Sequence, residues 1–454
     1  MRNSQPTFRK HSAVGVDWAA WFLGIGLGLT LALQATTMRS SDIDSVYSIM
    51  ASVSRLAALA GSYFAIVGIF FVARIPVVER GVGHDRLVAW HRKLGPWSLY
   101  LILIHFLLVT ISFAGQDQKP LYKELWNFLT AFPWMWWALA GFFLMMLAGV
   151  TSYKKARAKM SYETWWIIHI YTYIAIAASF MHQVLNGQMF VGHPLNRLYW
   201  TSLYVLVAAA VLIYRIGFPL VRSLRVNLVV DKVVVEGPGL ISVIMKGRNL
   251  KTLAAEGGQF FSWRFLTRGH FLMSHPYSLS AAPTDKHLRI TIKDLGDHSR
   301  ATRHIKPGTR VFVEGPYGAF TAGRATQPHL VMVGGGVGIT PIRAMMEEFK
   351  SGVQMDVFYR VSKKEELILK DELDYLEKNS NGLTRVHYLV GSRKEFPMDA
   401  EFIKAYAPRA ADSDFYICGP EALVETVRKA AADLGVPKNR FHDEDFAFHP
   451  VQGG

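Results

Sequence analysis

Four histidines lie in two apolar segments, each long enough to cross a membrane. His91 and His105 are fourteen residues apart in one segment, and His169 and His182 are thirteen apart in the other. At about 1.5 Å per helical residue each separation is roughly 20 Å, too far for two ligands of one metal ion. Neutral imidazole is a good axial ligand for haem iron. The spacing therefore predicts two stacked haem sites, an inner one held by His91 and His169 and an outer one held by His105 and His182.

The alternative is that these histidines only form hydrogen bonds with neighbouring helices. That interpretation suits one membrane histidine, because a polar side chain at bilayer depth needs a partner, but four in matched pairs favour haem. At about 100° per residue, fourteen positions return within roughly 40° of the same helix face, whereas thirteen leave a difference of about 140°. We therefore expect the helix carrying His169 and His182 either to bend or to present its histidines on different sides.

Two arginines lie near the predicted haem sites. Arg55 is near the outer end of the second apolar segment, and Arg74 is at its inner end. Haem propionates are anionic, so both guanidinium groups are candidate propionate partners, and the charge of Arg55 also favours superoxide formation at the outer site. The alternative is that they extend to the lipid headgroups, which is at least as well favoured for Arg74.

The second half of the chain carries a motif suited to a flavin. The stretch HPYSLSAAP begins at His275 and Pro276. Tyr277 could cover an isoalloxazine face, Ser278 could bond its N5 edge, and His275 lies toward the ribityl or phosphate side. A second turn offers a phosphate site, because glycine lets backbone amides approach an anion; its residues are Lys293, Gly296 and Ser299. Taken alone, the first motif would be only the end of a strand.

A second motif suits a dinucleotide. VMVGGGVGITP is a strand that enters a glycine loop and then a helix, where amides and the helix terminus bind pyrophosphate; its candidate residues are Gly334, Gly335, Gly336, Gly338 and Thr340. The stretch CGP follows another strand and places Cys418, Gly419 and Pro420 at the edge of the sheet where ligands bind. Cys418 is the only cysteine, which excludes internal disulfides and iron–sulfur clusters, and it could equally be a buried small residue.

The elements that must position these residues differ between the two halves of the chain. Six segments are long enough to span a bilayer and predict a six-helix bundle; they lie near 16–36, 50–73, 94–114, 131–151, 162–182 and 198–217. From about residue 220, short β-branched runs predict an antiparallel β-barrel, and from residue 328 alternating strands and helices predict an α/β domain with a parallel sheet. The predicted boundaries are 1–15 for a tail, 16–217, 218–325 and 326–454.

The basic residues predict orientation. The net charge is +15, and many of the Lys and Arg residues flank apolar segments, so we expect contact with a lipid bilayer and no nucleic-acid partner. They concentrate in the N-terminal tail and in the second–third and fourth–fifth loops. By the positive-inside rule, both termini are predicted to be cytoplasmic in a multi-pass protein of the inner (plasma) membrane.

The ordered motifs resemble those of a known superfamily. GQF, HPYS, KDLG, GPYG, GGGVGITP and CGP follow one another as in the ferredoxin–NADP reductase superfamily. With WHRKLG and the four histidines upstream, the chain beyond its tail resembles bacterial members of the NADPH oxidase/ferric reductase family of transmembrane flavocytochromes. The resemblance implies electron transfer from cytosolic NADPH through FAD and two b-type haems, with no side chain needed as acid or base.

The same resemblance suggests further roles. Ser392 and Arg393, with Arg360 nearby, resemble the residues that grip the 2′-phosphate of NADPH, which favours NADPH over NADH. Phe446, or else Phe448, resembles the terminal aromatic that shields the flavin. The implied electron path runs by Tyr277, Ser278, Cys418 and Phe446.

The acceptor is left open by the sequence. Dioxygen, giving superoxide, is slightly favoured; a Fe(III) chelate would make the protein a ferric reductase. A periplasmic protein acceptor is a further alternative, as is a role as an electron-transfer subunit of a larger complex. No EF-hand pattern precedes the first apolar segment, so we do not expect calcium gating.

Overall fold

The chain divides into two compact units, one ending at Phe218 and the other beginning at Pro219. A computed structural model describes residues 14–82, 84–237, 239–267, 274–294, 305–318, 320–349 and 352–445. Each unit has its own buried hydrophobic clusters. The antiparallel strands and then the parallel sheet follow the helices in the predicted order, while the domain boundaries stay predictions.

The first unit is helical. Its helices are α1 (Val14–Ala35), α2 (Val46–Val72), α3 (Pro76–Val82), α4 (His84–Gln116), α5 (Leu121–Ala131), α6 (Met135–Ser152), α7 (Lys154–Arg157), α8 (Tyr162–Asn186) and α9 (Pro194–Ala210), followed by a π-helical turn (Val211–Gly217). The next helix, α10 (Phe218–Val226), leads into the second unit. Five described segments are long and apolar enough to cross a membrane; they are Val46–Val72, Arg86–Gln116, Met135–Ser152, Thr164–Asn186 and Pro194–Val226. The first predicted span corresponds to a shorter apolar helix, Ala20–Ala35, so a six-span count stays a prediction.

Glycines allow the membrane helices to approach closely. A Cβ on Gly61 of α2 would lie 3.1 Å from Cγ1 of Ile102 on α4. A Cβ on Gly141 of α6 would lie 2.6 Å from Oγ of Ser179 on α8. Small residues at such positions let backbones pack tightly in lipid, where the hydrophobic effect does not drive helices together. The bundle therefore contains two close pairs, α2 with α4 and α6 with α8.

The second unit begins with two antiparallel sheets. Their strands are β1 (Val229–Gly237), β2 (Leu240–Lys246), β3 (Phe260–Phe265), β4 (His275–Ser278), β5 (His287–Lys293) and β6 (Val311–Tyr317), in the orders β1-β2-β5 and β4-β3-β6. A bridge between Leu279 and Ile290 links the two sheets. Trp263, Phe261 and Val243 are fully buried between them. The predicted antiparallel domain is observed, and its closure into a barrel stays a prediction.

A parallel sheet follows, as predicted. Its strands are β7 (His329–Gly335), β8 (Gln354–Val361), β9 (Thr384–Val390), β10 (Asp414–Gly419) and β11 (Phe441–Asp445), in the order β11-β10-β7-β8-β9. The connecting helices are α11 (Ile339–Met346), α12 (Lys370–Lys378), α13 (Ala400–Tyr406) and α14 (Glu421–Asp433). Because β7 and β10 are parallel neighbours, the glycine loop after β7 and the CGP turn after β10 meet at one edge.

Ion pairs join the antiparallel and parallel sheets of the second unit. Arg289 on β5 donates Nη1 to Oε1 of Glu372 on α12 at 2.7 Å and Nη2 to Oε2 at 2.8 Å. Arg343 on α11 places Nε 2.6 Å from the same Oε2. Burial acts to raise the pKa of the Glu372 carboxyl, but the hydrogen bond from Arg289 and the charge of Arg343 outweigh it and lower the pKa. Glu372 is therefore an ionised link between the two sheets at neutral pH.

Replacing Glu372 by glutamine should loosen these contacts between the two sheets, because Arg289 loses its carboxylate partner and Arg343 keeps only Glu347. We expect the opening free energy of 287–293 and 339–346 to fall by about 1–3 kcal/mol. Hydrogen exchange of the full-length protein at pH 7, read by mass spectrometry, measures this. A lowered carboxyl pKa stabilises the fold above the ordinary glutamate pKa of about 4.3, so the difference should shrink as the pH falls below that value.

The matched control is Asp231→Asn, which removes an exposed ion pair with Lys246 between β1 and β2. Exposed pairs contribute about 0–1 kcal/mol, so this variant should exchange like the wild type. Equal effects of the two substitutions would show that the Glu372 junction has no special role.

Candidate redox site

The first histidine pair lies between α4 and α8. The ring centroids of His91 and His169 are 6.0 Å apart, with their planes at 81°. Nδ1 of His91 lies 2.9 Å from the Gly68 carbonyl, which accepts from a protonated Nδ1 and leaves Nε2 as the ligand nitrogen. Two imidazoles bound to one metal ion at about 2.0–2.1 Å have ring centres roughly 6 Å apart. The two imidazoles would therefore suit the binding of one haem iron between them.

His169 is held by contacts on its own side of the pair. Trp165 stacks on its ring with centroids 5.0 Å apart. Ser152 Oγ lies 3.5 Å from His169 Nδ1 and accepts a hydrogen bond of 3.1 Å from Trp165 Nε1. These contacts restrict the orientation of the imidazole before any ligand binds.

The second histidine pair lines a cavity of about 290 Å³ in the same bundle. Nδ1 of His105 lies 2.8 Å from Ser54 Oγ and 3.1 Å from the Ser54 carbonyl, so Nε2 is again the nitrogen left for a ligand. Nδ1 of His182 is buried near the Ser179 carbonyl and forms no well-aligned hydrogen bond within the described residues. The cavity also has aromatic walls, contributed by Phe106, Phe113, Phe128, Phe132 and Phe142. An apolar space with a histidine from each helix suits a planar haem.

The pairing explains the spacing that looked awkward in the sequence. Helix α8 is continuous from Tyr162 to Asn186, so both of its histidines lie on one unbroken helix. His169 meets His91 and His182 meets the cavity of His105 from a different side of that helix. The uninterrupted helix is compatible with histidines on different sides, and a bend between them stays an alternative.

Both candidate propionate partners already contact a carboxylate. Arg55 lines the cavity of His105 and His182, and its Nη1 lies 2.9 Å from Asp42 Oδ1. Arg74 has a left-handed backbone with φ of 65°, and its Nη1 lies 3.3 Å from Glu79 Oε1. The position of Arg55 is compatible with a role at the outer site, and the propionate role of both residues stays a prediction.

The predicted flavin residues lie on β4. Pro276 pairs with Ser262 of β3, and the rings of His275 and Tyr277 are 6.3 Å apart. Burial raises the pKa of Tyr277 to about 12, so its hydroxyl stays protonated. Oγ of Ser278 is buried and has no hydrogen-bond partner among the described residues. A buried hydroxyl without a hydrogen bond lowers the stability of the fold, and the polar edge of a flavin could form that hydrogen bond.

The second flavin turn is described only in part. Lys293 lies at the end of β5, with Nζ 3.7 Å from Glu366 Oε1. Gly296 and Ser299 fall outside the described residues, as do Phe446 and Phe448. Their predicted roles stay predictions.

The two glycine motifs pack against each other. A Cβ on Gly338 would lie 2.0 Å from the Cys418 carbonyl oxygen, and one on Gly335 would lie 2.9 Å from Pro420 Cδ. Gly336 has φ of 57°, and a Cβ built there meets nothing within 4 Å. The loop is thus packed on one side and open at Gly336, where backbone amides can approach a phosphate.

The remaining motif residues support this loop. A Cβ on Gly334 would lie 2.9 Å from the Ile339 Cα, and one on Gly419 would lie 3.1 Å from the Gly335 Cα. Thr340, in the first turn of α11, donates its hydroxyl to the Val337 carbonyl at 2.9 Å. These contacts fix the loop at the start of the helix, where an anion binds most readily.

Cys418 lies in the core of the parallel sheet. It is fully buried in the cluster that contains Met332 and Tyr359. Its carbonyl, rather than its thiol, makes the close contact with the glycine loop. This position agrees with the interpretation of Cys418 as a buried small residue. Its role in the electron path stays a prediction.

Two arginines lie at the far side of the parallel sheet. Burial lowers the pKa of Arg360, and the neighbouring charge of Arg393 lowers it further. Arg360 is near the end of β8, and Ser392 and Arg393 follow β9, where the Ser392 N–H donates to Glu395 Oε2 at 2.6 Å. Two guanidinium groups close enough to repel each other form a site suited to an anion.

The sequence analysis did not identify the groups that orient the candidate ligand histidines and Arg55. Ser54 and Gly68 on α2 contact His105 and His91, and Asp42 contacts Arg55. Small residues on the neighbouring span are the available signal, because the ring of a ligand histidine needs a close backbone or hydroxyl partner.

Two glycine substitutions should separate packing from backbone strain. Gly338→Ala places a methyl group against backbone, so we expect a large loss of nucleotide affinity, at least about tenfold, with lower thermal stability. Gly336→Ala meets open space and has only its positive φ to accommodate, a cost of about 1 kcal/mol. Calorimetric titration with NADPH and thermal melting measure both effects. A Gly338→Ala variant milder than Gly336→Ala would contradict this packing.

Each of three known relatives matches less than half of the chain. A flavohemoprotein of Halalkalibacterium halodurans is 28% identical over 245 residues, covering 48% of this chain and 59% of that protein. NADH-cytochrome b5 reductase 1 of Pyricularia oryzae is 30% identical over 191 residues, covering 38% and 61%. The electron transfer component of 2-halobenzoate 1,2-dioxygenase from Burkholderia cepacia is 28% identical over 191 residues, covering 38% and 54%. The chain thus spans about half to three fifths of these relatives.

Solved structures show weaker similarity. The flavohem-like FAD/NAD binding domain of nitric oxide dioxygenase from Vibrio cholerae is 21% identical, with a TM-score of 0.39 over 49% of this chain and 99% of that one. The cytochrome b5 reductase domain of Ulva prolifera nitrate reductase is 16% identical, with a TM-score of 0.42 over 49% and 98%.

Three family profiles match along the chain. Residues 57–180 match the ferric reductase like transmembrane component, residues 225–321 an FAD-binding domain, and residues 332–429 an oxidoreductase NAD-binding domain. The chain therefore combines a ferric reductase-like transmembrane component with an FAD-binding domain and an oxidoreductase NAD-binding domain, which is the domain order of NADPH oxidases and ferric reductases.

Proposed function

We propose that the protein carries electrons from cytosolic NADPH, through FAD and two b-type haems, across the membrane to an extracytoplasmic acceptor. The observation that carries this proposal is the double pairing between α4 and α8. His91 faces His169 at 6.0 Å, and His105 shares one cavity with His182. Fourteen residues of α4 separate the two levels, about 20 Å along the helix.

Bound FAD and haem would supply the conversion of a hydride into single electrons and their passage across the apolar bundle. The residues of the chain bind these cofactors and orient them. The open glycine loop at Gly336 takes the pyrophosphate, Ser278 offers its buried hydroxyl to the flavin edge, and Tyr277 covers the ring. Gly68 and Ser54 hold the inner and outer ligand rings through Nδ1. No side-chain acid or base is needed.

The orientation is part of the proposal. By the positive-inside rule, the basic loops favour cytoplasmic termini and an outward His105 level in a protein of the inner (plasma) membrane. The described lining of the outer cavity is mostly apolar, and this favours a small acceptor such as dioxygen, which would yield superoxide. The alternative acceptors are a Fe(III) chelate, which would make the protein a ferric reductase, and a periplasmic protein.

The paired arginines support NADPH as the donor. We expect Arg393→Ala to raise the KM for NADPH about 10- to 100-fold and to leave that for NADH within about twofold, because only NADPH carries the 2′-phosphate. Ferricyanide reduction by the full-length protein measures both constants. Arg385→Ala, on β9 itself, serves as a control. Equal changes for both nucleotides would exclude a phosphate contact.

Replacing His182 by leucine should remove the outer haem while leaving the inner haem and the reduction of FAD by NADPH intact. Pyridine haemochrome assays should give half the wild-type haem, and transfer to an outer acceptor should fall at least about 100-fold, because that step has lost its site. His193→Leu, in the loop before α9, is the matched control and should retain both haems. A His182→Leu protein with full haem content would contradict the ligand assignment.

The same wild-type preparation identifies the acceptor. Cytochrome c reduction that superoxide dismutase abolishes indicates dioxygen. Fe(II) trapped by ferrozine under anaerobic conditions indicates ferric reduction. Haem that NADPH reduces without either product indicates a partner-dependent subunit.

A further inference from the structure

The outer cavity has one fixed charge in its described wall. Among the described residues that line it, Arg55 is the only one of the Asp, Glu, Lys and Arg types. Its side chain is 21% exposed, so its charge acts in a partly desolvated environment. An unpaired guanidinium there would draw in anions, because electrostatic attraction strengthens as water is excluded.

Asp42 provides the counter-charge from outside the cavity wall. Its Oδ1 accepts from Arg55 Nη1 at 2.9 Å, and its Oδ2 accepts from the Arg39 N–H at 2.7 Å and from Gln188 Nε2 at 2.9 Å. Ser52 Oγ donates to the Asp42 carbonyl at 2.9 Å. The carboxylate is thus fixed by three separate parts of the bundle.

Asp42 is ionised at neutral pH. Burial acts to raise the pKa of its carboxyl, but the hydrogen bonds from Arg39, Gln188 and Arg55 outweigh it, and the pKa is lowered. The residue lies in the short helical turn Ser40–Asp42 that precedes α2, and only 8% of it is exposed. It therefore forms a permanent ion pair with Arg55.

We infer that Asp42 is a positioning residue that fixes Arg55 at the outer cavity and cancels its charge, so that the site takes a neutral acceptor in preference to an anionic ferric chelate. The inference rests on the proposed function. One NADPH reduces two acceptors by one electron each and yields NADP⁺ and one proton. Dioxygen becomes superoxide, or a Fe(III) chelate becomes its Fe(II) form. Neither transfer needs a proton at the cavity, so acceptor charge and size decide the choice.

The test compares acceptors of different charge. Full-length protein with haem and FAD is reduced with one equivalent of dithionite per electron, and haem reoxidation is followed by stopped flow. The acceptors are dioxygen, the anion Fe(III)–EDTA and the cation hexaammineruthenium(III). For Asp42→Asn we expect the rate constant for Fe(III)–EDTA to rise about 5- to 10-fold, that for the cation to fall similarly, and that for dioxygen to stay within about twofold.

Three further variants isolate the effect. Asp117→Asn removes an exposed carboxylate that pairs with Lys119 just after α4. It should leave the ratios between the rate constants for the three acceptors unchanged. Asp42→Glu should retain the wild-type ratios. The double variant Asp42→Asn with Arg55→Gln removes both charges and should return the ratios toward wild type.

Two outcomes for Asp42→Asn would overturn the inference. Either the rate constants for all three acceptors change by the same factor, or none of them changes. If that variant does not fold, the salt dependence of the Fe(III)–EDTA rate constant of the wild-type protein tests the inference. A cancelled charge predicts a Fe(III)–EDTA rate constant that varies less than about threefold between low and high salt, and a steep fall with salt overturns the inference. Wild-type protein purified without haem would instead overturn the proposed function.

Discussion

Two imidazole rings held 6.0 Å apart between α4 and α8 are the contact on which the account of this protein depends. Histidines are costly in an apolar bundle unless each ring nitrogen has a use. On His91, Nδ1 meets the Gly68 carbonyl and Nε2 is left for a metal. The same division recurs at His105 with Ser54. His105 and His182 line one cavity and form the second candidate pair, and in the proposed function the two pairs would together give a route across the membrane.

The rest of the helical unit keeps these rings in place. Gly61 brings α2 against α4, and Gly141 brings α6 against α8, so each ligand helix is supported by a neighbour instead of by the other ligand helix. The space between α4 and α8 can then hold a flat group. In the second unit, parallel β7 and β10 bring the glycine loop and the CGP turn together in a comparable way. In both units, glycine gives the close approach that creates a site.

Much of this could be predicted from the sequence, because periodicity and motif order follow from local chemistry. The histidine pairs, the parallel sheet and the HPYS strand belong to that class. Contacts between distant segments do not: the Asp42–Arg55 pair and the Glu372 junction depend on side chains that meet only after packing. The burial of Cys418 likewise depends on strand register, which the sequence alone left undecided. The thirteen-residue spacing could be interpreted only once His169 was found beside His91 and His182 in the wall of the cavity that His105 also lines.

The proposed function requires the helical bundle to hold two haems, each ligated by two histidines. Low-temperature electron paramagnetic resonance of the oxidised full-length protein, with haem counted per chain, tests it most directly. We expect two low-spin ferric signals and two haems per polypeptide, because each histidine pair would supply two strong nitrogen ligands to one iron. A single haem per chain, or a dominant high-spin signal, would contradict it.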